Sequence, residues 1–311
     1  MIEYKHLPVL LNEAITGLNI NPQGIYVDST MGGAGHSFHI LKQLKQNGHL
    51  YCFDQDHSVL IKARELLMMV GENFTIIPDN FVNIKNQLQV ANIKKVDGIL
   101  YDLGVSSFQF DDPKRGFSYH SPAHLDMRMN QNNDLTAYKI VNEYSYDELK
   151  SIFYKYGEEK FAPQIAKRIV IERKNNPIEL TTTLSDIILK SVPSYVRRRD
   201  AHPAKKVFQA LRIAVNNELT NLELSLKEAL SLLNKGGRIV VISFHSLEDR
   251  IVKEVFRKYS EPALPPGLPV RDQDIVRDFC LVNRKVIVPS EQEIRENNRA
   301  RSAKMRIIEK L

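Results

Sequence analysis

The sequence predicts an α/β fold, a mostly parallel sheet with helices on both faces, interrupted after its fourth strand by a helical domain. Three observations carry this prediction. Short apolar runs alternate with amphipathic helical patterns through the first hundred residues, the alternation stops between Phe108 and about His202, and it resumes towards the end. The first four strands fall at 25–28, 49–54, 74–78 and 96–102, separated by helical patterns near 36–45, 58–70 and 80–89. Their β-branched, nearly continuous apolar character marks strands covered on both faces.

The middle of the chain reads as helices near 137–142, 146–156, 161–174 and 183–191. Asp112-Pro113, Ser121-Pro122, Asn176-Pro177 and Val192-Pro193 punctuate them as turns. Phe208, Leu211, Val215, Leu219, Leu222 and Leu226 then trace one face of a long helix, which Asn234-Lys235-Gly236-Gly237 should end. A fifth strand is expected at 238–244 and two more at 281–288 and 303–309, while the four prolines of 261–269 mark an exposed loop. The expected organisation is therefore a discontinuous sheet domain, 1–107 with 208–311, and an inserted helical domain at 108–207.

Bulk composition narrows the function classes. With 311 residues, 43% apolar and 26% charged, the chain has the make-up of a soluble globular protein. No apolar run approaches the roughly 20 residues of a bilayer span, and the N-terminus lacks a signal-peptide pattern. Two cysteines, Cys52 and Cys280, make neither a disulfide framework nor a metal cluster, so a cytoplasmic protein without a metal is expected. Charge is uneven: residues 1–160 are net −4, whereas 161–212 hold 11 Lys/Arg against 4 Asp/Glu, a concentration that points to an anionic partner such as nucleic acid. A solvated basic face is the plainer explanation of the same charge.

Ligands of open parallel sheets bind beyond the carboxyl ends of the strands. The first strand runs into Asp28-Ser29-Thr30-Met31-Gly32-Gly33-Ala34-Gly35-His36, a glycine-rich turn opening a helix. Such a turn allows close backbone approach and points unpaired N–H groups at a ligand, although a tight crossover needs glycine for steric reasons alone. The second strand ends at Asp54, 19 residues beyond Gly35 and suited to accept from ribose hydroxyls. The third is followed by Asp79-Asn80-Phe81, suited to an adenine ring, and the fourth by Asp102-Leu103-Gly104. Each group has a structural alternative: Asp28 or Asp54 can cap a helix, Phe81 can be core, and Asp102 can start a turn. The loop lacks the G-x-G-x-x-G of nicotinamide enzymes, and the looser turn after an acid fits S-adenosylmethionine better. Ser246-Leu247-Glu248-Asp249 reads as a capping box with Asp249 at its third helical position, and His245 beside it as a structural histidine. No metalloprotease, serine-hydrolase or P-loop pattern occurs.

At these residues the chain resembles the ribosomal RNA small subunit methyltransferase H family. The resemblance runs almost end to end, through His6–Leu11, Val27–His36, Asp97–Ser107, Arg115–Ser118, Leu125–Met129, Tyr156–Glu159, Phe208–Asn216, Ser243–Arg250 and Arg299–Lys304. It implies a Rossmann-like S-adenosylmethionine-dependent methyltransferase sheet and N4-methylation of a cytidine in the decoding region of 16S rRNA, within a small ribosomal subunit particle. It places cofactor contacts at Ala34, Gly35, His36, Asp54, Phe81, Asp102 and Gln109. Ala34 stands where the family usually has glycine, and Lys206 where it usually has arginine. Many amine methyltransferases carry a Pro-Pro-aromatic motif after the fourth strand, and Asp102-Leu103-Gly104-Val105 stands there instead, so the choice of N4 comes from the resemblance alone. Asp102, or a carbonyl within 102–107, is the expected acceptor for the reacting amine. Arg197, Arg198, Arg199, Lys205, Lys206 and Arg212 form the expected RNA track, with Arg299, Arg301, Lys304 and Arg306 a second one. A non-catalytic RNA-binding or ribosome-assembly protein on the same fold, and a small-molecule methyltransferase, are the competing readings.

Overall fold

The computed structural model describes residues 8–197, 202–261 and 277–311. Contacts divide it into two compact units, Met1–Gly104 with Leu219–Leu311, and Val105–Glu218. In chain order the first unit builds α1 (Leu11–Leu18), β1 (Ile25–Asp28), α2 (Gly35–Leu41), β2 (His49–Phe53), α3 (His57–Met68), β3 (Phe74–Ile77), α4 (Ile84–Val90) and β4 (Val96–Asp102). The second holds α5 (Ser107–Asp111), α6 (Ala137–Glu143), α7 (Tyr146–Gly157), α8 (Ala162–Glu172), α9 (Thr181–Ser191), α10 (Ser194–Arg197) and α11 (Ala204–Asn216). The chain then returns through α12 (Glu218–Leu232), β5 (Leu233–Ser243), α13 (Ser246–Ser260), β6 (Phe279–Leu281), α14 (Glu291–Glu296) and β7 (Lys304–Lys310).

The sheet order is β3-β2-β1-β4-β5-β7-β6, with the first five strands parallel and β7 antiparallel to both β5 and β6. Chain order reverses between β1 and β4, which is where a parallel sheet opens a crevice at its carboxyl edge. Side-chain alternation explains why both faces are covered. Val27, Ile99, Tyr101, Ile239 and Val241 pack with Leu222, Leu226 and Phe256 of α12 and α13. Tyr26, Leu100, Val240 and Ile242 pack with Leu18, Ile40 and Leu67 of α1, α2 and α3. The α/β expectation is met.

Several boundaries differ from those the sequence predicts. The apolar face from Phe208 to Leu226 belongs to two helices, because Asn217 takes a left-handed conformation (φ 51°) that ends α11. The neighbouring Asn216 fixes the break from within its own unit. Its Oδ1 accepts from Met129 N (2.7 Å) and its Nδ2 donates to Met127 O (2.8 Å). The unit boundary thus falls at the first residue of α12, and α11 packs in the helical unit with Phe153, Ile165 and Leu184.

Gly236-Gly237 does not end a helix either. β5 already pairs at Leu233 with Val96, and the register then skips to Arg238 opposite Gly98, so the glycines form a bulge inside the strand, with Gly236 at φ 79°. Beyond Leu281 the expected strand 281–288 keeps only the Val282 N to Ile307 O hydrogen bond (3.1 Å) and the Ile287–Met305 bridge. Asn283 takes over the pairing there, its Oδ1 accepting from Ile307 N at 2.7 Å. The capping box of α13 sits one residue earlier than expected: His245 Nδ1 accepts from Glu248 N, and the Glu248 carboxylate accepts from Phe244 N and His245 N. The proline-rich loop 261–269 lies outside the described residues apart from Glu261.

Candidate active site

Four parallel strand ends are stitched together by short hydrogen bonds at the carboxyl edge of the first unit. Met31 N donates to Phe53 O (2.8 Å) and Gly32 N to Asp54 Oδ2 (2.7 Å), tying the loop after β1 to the end of β2. Asp102 N donates to Thr30 Oγ1 (2.6 Å), tying the same loop to β4. Phe81, just past β3, meets the Tyr101 ring edge to face at 5.6 Å. The Tyr101 hydroxyl pairs with Ser225 Oγ (2.7 Å), and Ser225 Oγ donates to Phe81 O (2.8 Å), so the Phe81 turn is anchored through α12.

Gly32 and Ala34 both lie in the left-handed region, at φ 50° and φ 62°. For Gly32 this costs nothing, whereas an L residue such as Ala34 gives up about 1–2 kcal/mol there. Ala34 tolerates it because its methyl is fully buried among Val9, Ile40 and the other residues of that core face, and its N–H closes a turn onto Met31 O at 2.7 Å. The departure at Ala34 therefore leaves the turn intact.

Each expected residue has a definite place. Asp28 is 1% exposed, with Oδ2 accepting from Ser37 Oγ (2.6 Å) and Oδ1 from Thr30 N (3.1 Å). Burial, opposed by the Ser37 hydrogen bond, pushes its carboxyl up. It is a clasp beneath the loop and not a ligand group. Asp79 is likewise committed, to Asn83 and Gln87, and Asn80 to Gln55 and Val82. Of the third strand end, Phe81 alone offers a half-buried ring.

Asp54 is different. Each oxygen accepts one backbone N–H, from Gly32 (2.7 Å) and from Asp56 (2.8 Å), which leaves further lone pairs for hydroxyl donors. Burial pushes its carboxyl up to about 7 against the pull of those N–H groups. Asp102 keeps 26% of its side chain exposed, and its Oδ2 stands 3.4 Å from His36 Nδ1. Its Oδ1 is buried with no hydrogen-bond partner among the described residues. An orphaned buried acceptor calls for a donor beyond the described residues, such as a water or a ligand. Acceptors for hydroxyls at β2, an aromatic face after β3, an open acceptor at β4 and a left-handed glycine turn between them fit the ribose, adenine and amine of S-adenosylmethionine.

Gln109 belongs to the second unit and is 4% exposed. Its side-chain Oε1 accepts from Ser106 N (3.0 Å) in a capping box that opens α5. In the same unit Lys205 is exposed, Lys206 donates to Glu158 O (3.0 Å), and Arg197 is exposed with Nε on Val192 O (3.1 Å). Arg212 is held bidentately by Glu218 at 2.8 Å, so its charge is already matched. Arg198 and Arg199 lie outside the described residues. Of the second track, Lys304 and Arg306 are paired with Asp249. Burial there pushes the Asp249 carboxyl up, but the hydrogen bonds and charges of Arg306 and Lys304 together outweigh it and hold the carboxyl low.

Sequence reasoning missed Thr30, Ser37 and Val9, whose atoms fasten Asp102, Asp28 and His36. Thr30 and Ser37 reach Asp102 and Asp28 from 72 and 9 residues away, so residue type alone does not pair them. Val9 acts through its carbonyl, which no residue type announces.

Sheet order, glycine turn and acidic strand ends together define the class: a methyltransferase domain. The MraW methylase family model matches residues 3–311, and the chain belongs to that family. It is 54% identical over 314 residues to a protein of Limosilactobacillus fermentum called ribosomal RNA small subunit methyltransferase H, covering 100% of both chains. A protein of the same name from Lactiplantibacillus plantarum is 52% identical, over 100% of this chain and 98% of its own.

Proposed function

We propose that the chain methylates N4 of a cytidine in the decoding region of 16S rRNA, using S-adenosylmethionine and acting on a small ribosomal subunit particle. The buried, unpartnered Oδ1 of Asp102 beside the left-handed glycine turn carries this reading. The names and near-complete coverage of the two relatives support the substrate. The N4 position rests on the family resemblance.

In this reading the backbone of Ala34, Gly35 and His36 would line the cofactor, Asp54 would accept from its ribose and Phe81 would meet its adenine, and the family resemblance adds Gln109. S-adenosylmethionine supplies an electrophilic methyl group on a sulfonium. Cytosine N4 is a weak nucleophile because its lone pair is delocalised into the ring. Asp102, or a carbonyl within 102–107, accepts a hydrogen bond from the amine as it becomes positive, and the crevice orients it for attack. The base must leave its stack to reach the site, and Arg197, Lys205 and Lys206 offer a basic surface for the flanking phosphates.

The test is transfer of labelled methyl groups from S-adenosylmethionine to small subunits lacking the modification, followed by nucleoside analysis. Label in N4-methylcytidine is the expected result. Label in another nucleoside, or none with purified active cofactor, overturns the proposal.

A further inference from the structure

The His36 side chain is closed off from any ligand by its own partners. The ring is 5% exposed, Nε2 lies 3.1 Å from Val9 O, and Nδ1 lies 3.4 Å from Asp102 Oδ2. A carbonyl oxygen only accepts, so Nε2 carries a proton. Nδ1 then faces a carboxylate. A neutral ring would aim its lone pair at that oxygen, whereas an imidazolium donates to both partners.

We infer that His36 is a positioning residue: its imidazolium holds Asp102 Oδ2, so that the buried Oδ1 is presented as the acceptor for an incoming amine. On the methyltransferase reading above, on which this rests, that amine is the cofactor's own, which S-adenosylhomocysteine retains; the ion pair does not depend on it. The groups around the ring are consistent with a cation. Asp102 faces it from β4 and Asp28 from β1, and beside Asp28 stands Cys52 of β2, whose thiol burial pushes up. His39 lies on α2 itself and is itself held low by burial, and Val9 presents only a carbonyl. Burial alone favours the neutral ring, but the hydrogen bond and charge of Asp102, with Asp28 behind it, outweigh burial and raise the His36 value. The pair therefore stabilises the fold fully at pH below the ordinary histidine value. That contribution is lost as pH rises through the raised one.

Nitrogen-15 NMR of the ligand-free protein tests the pair. Both ring nitrogens of His36 should be protonated at pH 7, and Asp102→Asn should lower its titration by about one unit or more. An unprotonated Nδ1 at pH 7, or a titration that Asp102→Asn does not move, overturns the pair. Calorimetry with S-adenosylhomocysteine tests the positioning role in wild type, His36→Gln, Asp102→Asn and the double variant. Glutamine can still donate to Val9 O, and circular dichroism verifies that each variant is folded. Each single change should weaken binding about tenfold or more, with the double no weaker than the worse single. Independent, multiplicative losses overturn the positioning role. Absence of binding by wild type overturns the cofactor reading, while the NMR result judges the ion pair separately.

Discussion

The carboxyl edge of the sheet and the exposed cations of the helical unit are the two regions the proposed function draws on, and they differ in kind. At the sheet edge nearly every polar atom has a named partner. Asp28 is clasped by Ser37 and Thr30 and Asp54 by Gly32 and Asp56, whereas Asp102 Oδ1 is a buried carboxylate oxygen left without a partner among the described residues. On the helical unit Arg197 and Lys205 stand exposed on α10 and α11, while Arg212 is consumed by Glu218. A small ligand demands fixed donors and acceptors, and an extended polyanion demands only charge along its path. The first can be read from geometry, the second from the pattern of charge.

The largest effect that would break this contrast concerns Asp102. Asp102→Asn should lower methyl transfer by about 100-fold or more if the carboxylate stabilises charge on the reacting amine. A near-normal single-turnover rate would sink the acceptor role, and parallel cofactor-binding measurements separate chemistry from positioning.

Asp54 should show itself through pH. Its raised value of about 7 means that ionising it costs the folded state, so its unfavourable contribution grows as pH rises from the ordinary carboxylate range towards about 7. Ribose hydroxyls donate to the ionised form, so S-adenosylhomocysteine affinity should rise by up to about tenfold per pH unit below about 7 and level off above it. Asp54→Asn should flatten that profile. An unchanged profile would remove Asp54 from the site.

Replacing Arg197, Lys205 and Lys206 together with alanine should weaken RNA binding and reduce the salt slope by about 2, while leaving cofactor affinity alone. If the slope is unchanged in a salt titration, these residues are merely solvated. Arg212→Ala is the internal contrast: it should lower thermal stability by leaving Glu218 unpaired, with little change in salt slope.

The smallest effect is at Ala34. Ala34→Gly relieves about 1–2 kcal/mol of left-handed strain, but removes a buried methyl and loosens the unfolded chain by about 1 kcal/mol each. The terms nearly cancel, so denaturant midpoints should barely move. A large loss of stability would mean the buried methyl matters more than the turn.

Much of the sheet was legible because a period of two and β-branched runs are local properties: 25–28 and 96–102 coincide with β1 and β4. The break at Asn217 was not legible, since the apolar face continues across it and only the distant Met127 and Met129 backbone atoms draw Asn216 out of register. The bulge at Gly236 was hidden for the same reason, because glycines after a helix signal an end whether or not a strand has begun. At the site, Asp54, Phe81 and Asp102 were named from strand ends, but Asp28, equally acidic and equally placed, proved to be a clasp.

By itself, then, the amino-acid sequence determined the alternation of strands and helices, the family, and which acids end which strands, because these follow from periodicity and chain order. Tertiary structure alone decided which of those acids stay available. A carboxylate is a ligand group or a fastener according to the donors that other segments bring to it. Ser37, Thr30, His36 and the Val9 carbonyl reach their partners only after the sheet has closed.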